Sequence, residues 1–472
     1  MYTDSASELA RRVRAGEVTS RALVEGSIDQ VRRVNPRVNA LVADRFDAAL
    51  AEADAADAAV ARGGDLPPFH GVPCTVKETF AVAGMPNTAG LVSRVGRPAT
   101  EDAITVRRLR AAGAIPIGVT NVSELAMWFE SDNKVYGRTN NPYDTSRIVG
   151  GSSGGEGAAV AAAYAPFGLG SDIGGSIRMP AFFNGVFGHK ASAGLVPNDG
   201  QFPVDTAEAM LRYQCTGPLA RRAEDLLPLL RILADSPVGP DEVDLAGLDV
   251  VTVESNGRHT VQPELIAAQR RAVATLRTLG ARVRTAEVTA LRKSFDIWGS
   301  MLSEARSVPF RTLMAGGGRF STPREVALLL RGRSPHTLPA LGLAMVERWP
   351  DLLPSRRRRY AAMGRALRDE LTHLVGENGV LFYPSFPTLA PRHNVPIRRP
   401  FSFAYTAILN VAELPATQVP LGLDAATGLP LGVQVAAAPG NDALTIAVAR
   451  HLERELGGWV PPRGVVPTEV KV

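Results

Sequence analysis

The chain has 472 residues, 45% of them hydrophobic and 21% charged, which excludes a minimal domain and suits one large α/β domain or two domains around a sizeable core. A net charge of +5 is too mild to point to a nucleic-acid partner. The two cysteines, Cys74 and Cys215, make neither a disulfide framework nor a CxxC zinc pair.

The first residues, MYTDSASELARRVR, carry charge where a signal peptide would be apolar. SASE at 5–8 is a capping box and predicts a helix that stops near Gly16. Thr19 opens a second helix with Leu23, Val24, Ile28 and Val31 on one face, and an alanine-rich third helix is expected over about 46–61. GGDLPP at 63–68 reads as a linker. GVPCTVKETF follows as a short β-branched strand that ends near Lys77. DAITVRRLRAAGAIPIGVTN reads as helix, glycine stop and strand, the alternation of an α/β protein. EGAAVAAAYA at 156–165 is a small-residue helix able to pack closely on a sheet. The most apolar stretch, GAAVAAAYAPFGLG, is too short and too broken by proline to span a bilayer, so no integral membrane segment and a cytoplasmic location are expected. Residues 280–375 have helical periodicity, many arginines and few motifs, and are expected to form a helical insertion. Strands return with VLFYPSF and LPLGVQVAAA, and the helix DALTIAVARHLEREL stops at Gly457.

Two glycine-rich stretches raise the question of chemistry. VGGSSGGEGAA at 149–159 precedes a helix but lacks the Gly-Lys-Ser/Thr ending of a phosphate-binding loop. It also matches GxSxG at 150–154, and a nucleophile elbow would then need an Asp and a His downstream; His373, His393 and His451 are present without a recognisable context. SDNK at 131–134 matches SxxK and SDN at once, with no KTG to complete the set. In GSDIGGSIRMP, at 170–180, Gly174 and Gly175 directly precede Ser176, so backbone N–H groups there could face a developing oxyanion. The bland alternative is that both stretches are tight turns. No histidine stands in an obvious base position for Ser176; the nearest, His189, has no such context. Of the 52 Lys and Arg residues only five are lysines: Lys77, Lys134, Lys190, Lys293 and Lys471. Codon bias is the bland reading of that count, and such a bias would single out each remaining lysine, among them Lys77, which ends an apolar strand. Arginine stays charged, whereas a desolvated lysine loses its proton and can serve as a base.

GVPCTVKE (71–78), GGSSGGEG (150–157) and GSDIGGSIRMPAFFNGVFGHK (170–190) together resemble the amidase signature family. TNVSELAMWFESDNKVYGRTNNPYD (120–144) and LPLGVQVAAAPGNDALTIAVARHLE (429–453) are similar to one group within it, the fatty-acid amide hydrolases of the second, membrane-anchored vertebrate type. The likeness is strong over 70–220 and 400–462 and weak over 240–375. Two departures are Ala191, where the family usually places proline, and the absence of the vertebrate N-terminal membrane segment.

The resemblance implies an α/β class, an α/β/α amidase signature fold with a large mixed central sheet. It implies a single domain over 1–472: N-terminal helices at 1–65, a catalytic core at 70–235, the helical insertion at 280–375 and a return to the sheet at 378–462. It further implies a Ser–Ser–Lys triad. Ser176 is the expected nucleophile, Ser152, in a cis peptide with Gly151, the proton relay, and Lys77 the final base. The N–H groups of Ile173, Gly174, Gly175 and Ser176 are the expected oxyanion hole. Asp172 and Arg178 are expected to brace these loops, or to be a plain structural pair, and Ser153 and Ser171 to hydrogen-bond near Lys77. Ala126, Met127 and Trp128 are expected to line the substrate cleft, with core packing as the alternative for Met127 and Trp128. The four arginines at 356–359 decorate a solvated helix or touch anionic lipid. No metal or cofactor is implied. The implied partner is a small-molecule amide, a long acyl or aryl amide by resemblance, and a homodimer is allowed. The alternatives are the amidase subunit of a glutamine-dependent tRNA amidotransferase and a non-catalytic binding protein on the same fold.

Overall fold

A computed structural model describes residues 2–203, 205–316, 318–347 and 353–465, so Lys471 lies outside the described residues. The strands are β1 (Leu41–Asp44), β2 (Val72–Lys77), β3 (Ala114–Thr120), β4 (Asp132–Asn133), β5 (Gly137–Arg138), β6 (Phe167–Asp172), β7 (Phe187–Lys190), β8 (Cys215–Ala220), β9 (Asp249–Thr252), β10 (Arg282–Thr285), β11 (Gly379–Tyr383), β12 (Ala416–Leu423) and β13 (Pro430–Ala437). β4 and β5 form a small separate hairpin. The other 11 strands make one sheet in the order β1-β3-β2-β6-β8-β7-β12-β13-β11-β9-β10. It is mixed: β2 runs parallel to β3 and β6, β9 runs parallel to β10 and β11, and the strands between pair antiparallel. Every residue of β2, β3, β6 and β8 is buried, as in a sheet covered on both faces.

The N-terminal helices form where their caps stand. Ser5 accepts the Glu8 N–H at the start of Ala6–Arg14, and Thr19 accepts the Ala22 N–H at the start of Ser20–Val38. The buried face of the second helix includes Leu23, Val24, Ile28 and Val31. The third runs Phe46–Arg62. Helix Gly154–Ala161 is wholly buried, and its small residues let it lie close to the sheet: a Cβ on Gly155 would sit 2.4 Å from the Asn121 nitrogen.

Within 280–375, helices Ser294–Ala305, Phe310–Met314, Thr322–Leu330, Leu338–Val346 and Pro354–Val375 are present. The first residues of that span differ from the helical expectation. Residues 282–285 are strand β10, which extends the sheet edge beside β9, and Arg282 there pairs with Asp249 at 2.7 Å. Hydrogen bonding to an existing edge outweighs a weak helical pattern over four residues. Arg356, Arg358 and Arg359 are exposed on the helix Pro354–Val375. No helix among the described residues is long and apolar enough to cross a membrane.

Candidate active site

Parallel strands β2, β3 and β6 end at one edge of the sheet, and their carboxyl ends carry Lys77, Thr120 and Asp172. Crevices at such ends are where open α/β sheets bind ligands. The glycine loop before helix Gly154–Ala161 and the loop after β6 meet there, joined by a hydrogen bond from the Ser153 N–H to the Ser176 carbonyl at 3.2 Å.

Lys77 is fully buried. Its Nζ lies 2.8 Å from Ser152 Oγ and 3.0 Å from Ser171 Oγ. Burial pulls its pKa from 10.5 down to about 7, while the charges of Asp172 and Glu156 pull it upward. The peptide bond between Gly151 and Ser152 is cis. Ser153 Oγ donates to the Ser171 carbonyl at 3.2 Å and does not itself reach Lys77. Ser176 is 7% exposed, and its Oγ has no protein hydrogen-bond partner among the described residues.

The loop 172–176 is organised by Asp172. Its carboxylate accepts the Gly175 N–H at 2.7 Å and the Ile177 N–H at 3.0 Å, and takes a two-pronged contact from Arg178 at 3.0 Å on each oxygen. Both side chains are wholly buried. Burial alone would raise the Asp172 pKa; the Arg178 charge and the hydrogen bonds outweigh it and hold the carboxyl well below its usual range. Arg178 is completed by Gln434 Oε1 at 2.8 Å and Asn410 Oδ1 at 2.6 Å.

This network corrects one expectation. The Gly175 N–H is committed to Asp172, so it is not a free oxyanion donor. The N–H groups of Ile173, Gly174 and Ser176 have no protein acceptor among the described residues. Gly175 instead serves by its shape: φ is +109°, and a Cβ there would lie 2.0 Å from Thr406 Oγ1.

Ala126, Met127 and Trp128 are half-buried beside this centre. A Cβ on Gly151 would touch the Trp128 carbonyl at 2.5 Å, so the segment packs directly on the cis loop. Leu125 and Ala126 both have positive φ, and Ser123 Oγ holds the turn by donating to the Trp128 carbonyl at 2.9 Å. Met127 and Trp128 also pack on apolar clusters, so their core role is real.

The competing motif readings end here. Ser131 Oγ donates to the Gly150 carbonyl at 3.0 Å and braces the glycine loop, and Lys134 is exposed, so SDNK is not a nucleophile site. His189 is buried between Thr417 and Asp442, and no histidine among the described residues bonds to Ser152 or Ser176.

Several participants were not anticipated. Glu156 is buried near Lys77, its oxygens accepting from Thr75 at 2.6 Å and Thr120 at 2.7 Å, and burial raises its pKa. A signal existed, because Glu156 is the one charged residue in GGEGAAVAAA. Trp298, Thr406, Asn410 and Gln434 also meet the loop after β6, and no local pattern marks them. Trp298 and Phe403 meet edge to face at 5.0 Å and, with Phe295 and Phe401, form an aromatic wall beside Gly174.

Residues 22–446 match the family model described as Amidase. The chain is 45% identical to the human protein called fatty-acid amide hydrolase 2, over 97% of this chain and 90% of that protein. It is 32% identical to one component of the glutamyl-tRNA(Gln) amidotransferase of Anaeromyxobacter dehalogenans, over 96% of each chain. A crystal structure of an amidase superposes with a TM-score of 0.80 at 29% identity, covering 96% of this chain and 100% of that one.

Proposed function

The chain belongs to the amidase family, and on that premise we propose that it is a serine hydrolase that cleaves a carboxylic amide through Lys77, Ser152 and Ser176. The observation that carries this reading is a fully buried lysine, its pKa pulled down to about 7, set 2.8 Å from a serine on a loop bonded to the Ser176 loop.

Ser176 Oγ attacks the amide carbonyl carbon. Its proton passes to Ser152 Oγ while the Ser152 proton passes to Lys77 Nζ, which becomes an ammonium. The relay needs Ser176 Oγ to turn onto Ser152, a contact of the kind that tightens only with substrate bound. The N–H groups of Ile173, Gly174 and Ser176 receive the carbonyl oxygen as it gains charge. One such donor is typically worth about 3–4 kcal/mol of barrier. As the C–N bond breaks, the Lys77 proton returns through Ser152 to the leaving nitrogen. Water then hydrolyses the acyl-enzyme by the same relay and restores the Ser176 hydroxyl.

The proposed substrate is a long acyl or aryl amide. The printed name of the 45% identical relative and the aromatic wall of Phe295, Trp298, Phe401 and Phe403 support this choice. In this reading the chain acts in the cytoplasm and without partner subunits.

A fluorophosphonate probe tests the chemistry. It is expected to label the wild type and not Ser176→Ala; absence of wild-type labelling, together with no turnover of any amide, would sink the reading. A panel of amides of graded acyl length tests the substrate, and a preference for the shortest acyl groups would reject the long-acyl choice. The likeness to an amidotransferase component favours a second reading, glutamine hydrolysis for transfer to charged tRNA. Activity that requires added partner subunits would select it.

A further inference from the structure

Four successive peptide units make up the loop around the free N–H groups, and each has its carbonyl held from behind. The Asp172 carbonyl accepts from Asn410 Nδ2 at 2.9 Å. The Ile173 carbonyl accepts from the Trp298 indole N–H at 3.0 Å. The Gly174 carbonyl accepts from Thr406 Oγ1 at 3.0 Å, and the Gly175 carbonyl from the Met179 N–H at 2.8 Å. In a planar trans peptide the carbonyl of one residue and the N–H of the next point in opposite directions. Pinning a carbonyl therefore aims the following N–H. Asn410 aims the N–H of Ile173, Trp298 that of Gly174, and Met179 that of Ser176; Thr406 aims that of Gly175, which ends on Asp172.

Three of these holders belong to the buried frame: Asn410 and Thr406 on helix Ala404–Val411, and Met179 on helix Arg178–Phe183. Trp298 does not. It is half-buried, 125 residues from its acceptor in sequence, and stands on helix Ser294–Ala305 of the insertion. Its ring touches the position of a Gly174 Cβ at 3.4 Å and packs edge to face on Phe403 at 5.0 Å.

We propose that Trp298 is a positioning residue of the reaction: its indole N–H fixes the Ile173–Gly174 peptide so that the Gly174 N–H faces the developing oxyanion. The insertion thereby supplies alignment at the reacting centre as well as a wall for the substrate. This rests on the assignment of Ser176 as nucleophile. A donor acts on the transition state only when it is aimed at the place where charge appears, so a loosened peptide loses rate and not ground-state binding.

Trp298→Phe keeps a ring against Phe403 and removes the N–H. The expected result is a fall in kcat of about tenfold or more with KM nearly unchanged, smaller than the about 10²–10³ of losing a donor outright. Binding of a trifluoromethyl ketone, which forms an oxyanion on Ser176, is expected to weaken by the same factor, while binding of the matching unreactive alcohol stays level. Trp298→His, which retains a ring N–H, is expected to recover part of the kcat. Unchanged kcat in a folded Trp298→Phe protein, or a change confined to KM, would overturn the proposal. If Trp298→Phe fails to fold, Trp298→His decides: ketone and alcohol affinities that fall together would overturn the proposal, and a loss confined to the ketone would support it. Wild-type protein that neither takes the fluorophosphonate at Ser176 nor hydrolyses any amide would overturn both the function and this inference. An active wild type beside an unaffected Trp298→Phe would overturn the inference alone.

Discussion

Hydrolysis by this chain is expected to rise with pH through neutrality, because the proposed base is a buried lysine. Desolvation lowers the Lys77 pKa from 10.5 to about 7, and the competent form is the neutral amine. With a pKa of about 7, the neutral fraction is about 10% at pH 6, about 50% at pH 7 and about 90% at pH 8. The value of kcat/KM should therefore climb about tenfold from pH 6 to pH 8 and then level. An unburied lysine at 10.5 would be neutral in about 3 of 10,000 molecules at pH 7, so burial gains more than about a thousandfold, or about 4 kcal/mol. The perturbation that tests the cause is Glu156→Gln. The Glu156 charge favours the Lys77 ammonium, and its oxygens are held by Thr75 and Thr120. Burial raises the Glu156 pKa to about 7, so its carboxyl is ionised in only about half the molecules at the midpoint. Removing that partial charge while keeping the side-chain shape should move the midpoint to lower pH by a small amount. The assay is kcat/KM for a chromogenic anilide from pH 5.5 to 9 at constant ionic strength. A flat profile from pH 6 to pH 8, or a Glu156→Gln midpoint that moves upward, would refute the reasoning.

Lys77→Ala is expected to lose about 10²–10⁴ in kcat at neutral pH and to regain part of it at high pH, where hydroxide replaces the base; near-normal turnover at pH 7 would remove Lys77 from the mechanism. Arg178→Met leaves the buried Asp172 carboxylate without its cation and should cost about 3–5 kcal/mol in denaturant unfolding. A loss below about 1 kcal/mol would show that the Gly175 and Ile177 N–H groups and the Asn410 amide suffice without the guanidinium. Gly175→Ala must place a Cβ at φ +109° and 2.0 Å from Thr406 Oγ1, so kcat should fall sharply. Wild-type kcat in that variant would mean that the loop geometry does not matter to turnover.

Features set by neighbours along the chain were legible from the residues themselves. Ser5 and Thr19 cap helices because the N–H groups they accept lie three residues on. Lys77 ends an apolar run, and the glycines about Ser152 and Ser176 mark backbone of unusual shape; both readings need only a few adjacent residues. The resemblance joined those stretches into one family, and the matched family model bears that out. The four residues of β10 escape such a reading because an edge strand takes its hydrogen bonds from β9, a partner that no window around 282–285 contains.

What tertiary structure alone decided is which groups meet across long stretches of chain. The sheet order sets β6 beside β2, and so brings Lys77 within reach of Ser171 and Ser152 in a site dry enough to lower its pKa. The sequence counted four N–H groups around Ser176; the fold leaves three free, because the Asp172 carboxylate curls back onto Gly175. Trp298 is the plainest case. A lone tryptophan on a helix carries no local sign of its acceptor, and only the packing of helix Ser294–Ala305 against helix Ala404–Val411 sets its N–H against the Ile173 carbonyl. Propensity and capping act over a few residues, whereas the direction of a peptide plane at the reacting centre depends on side chains more than a hundred residues away.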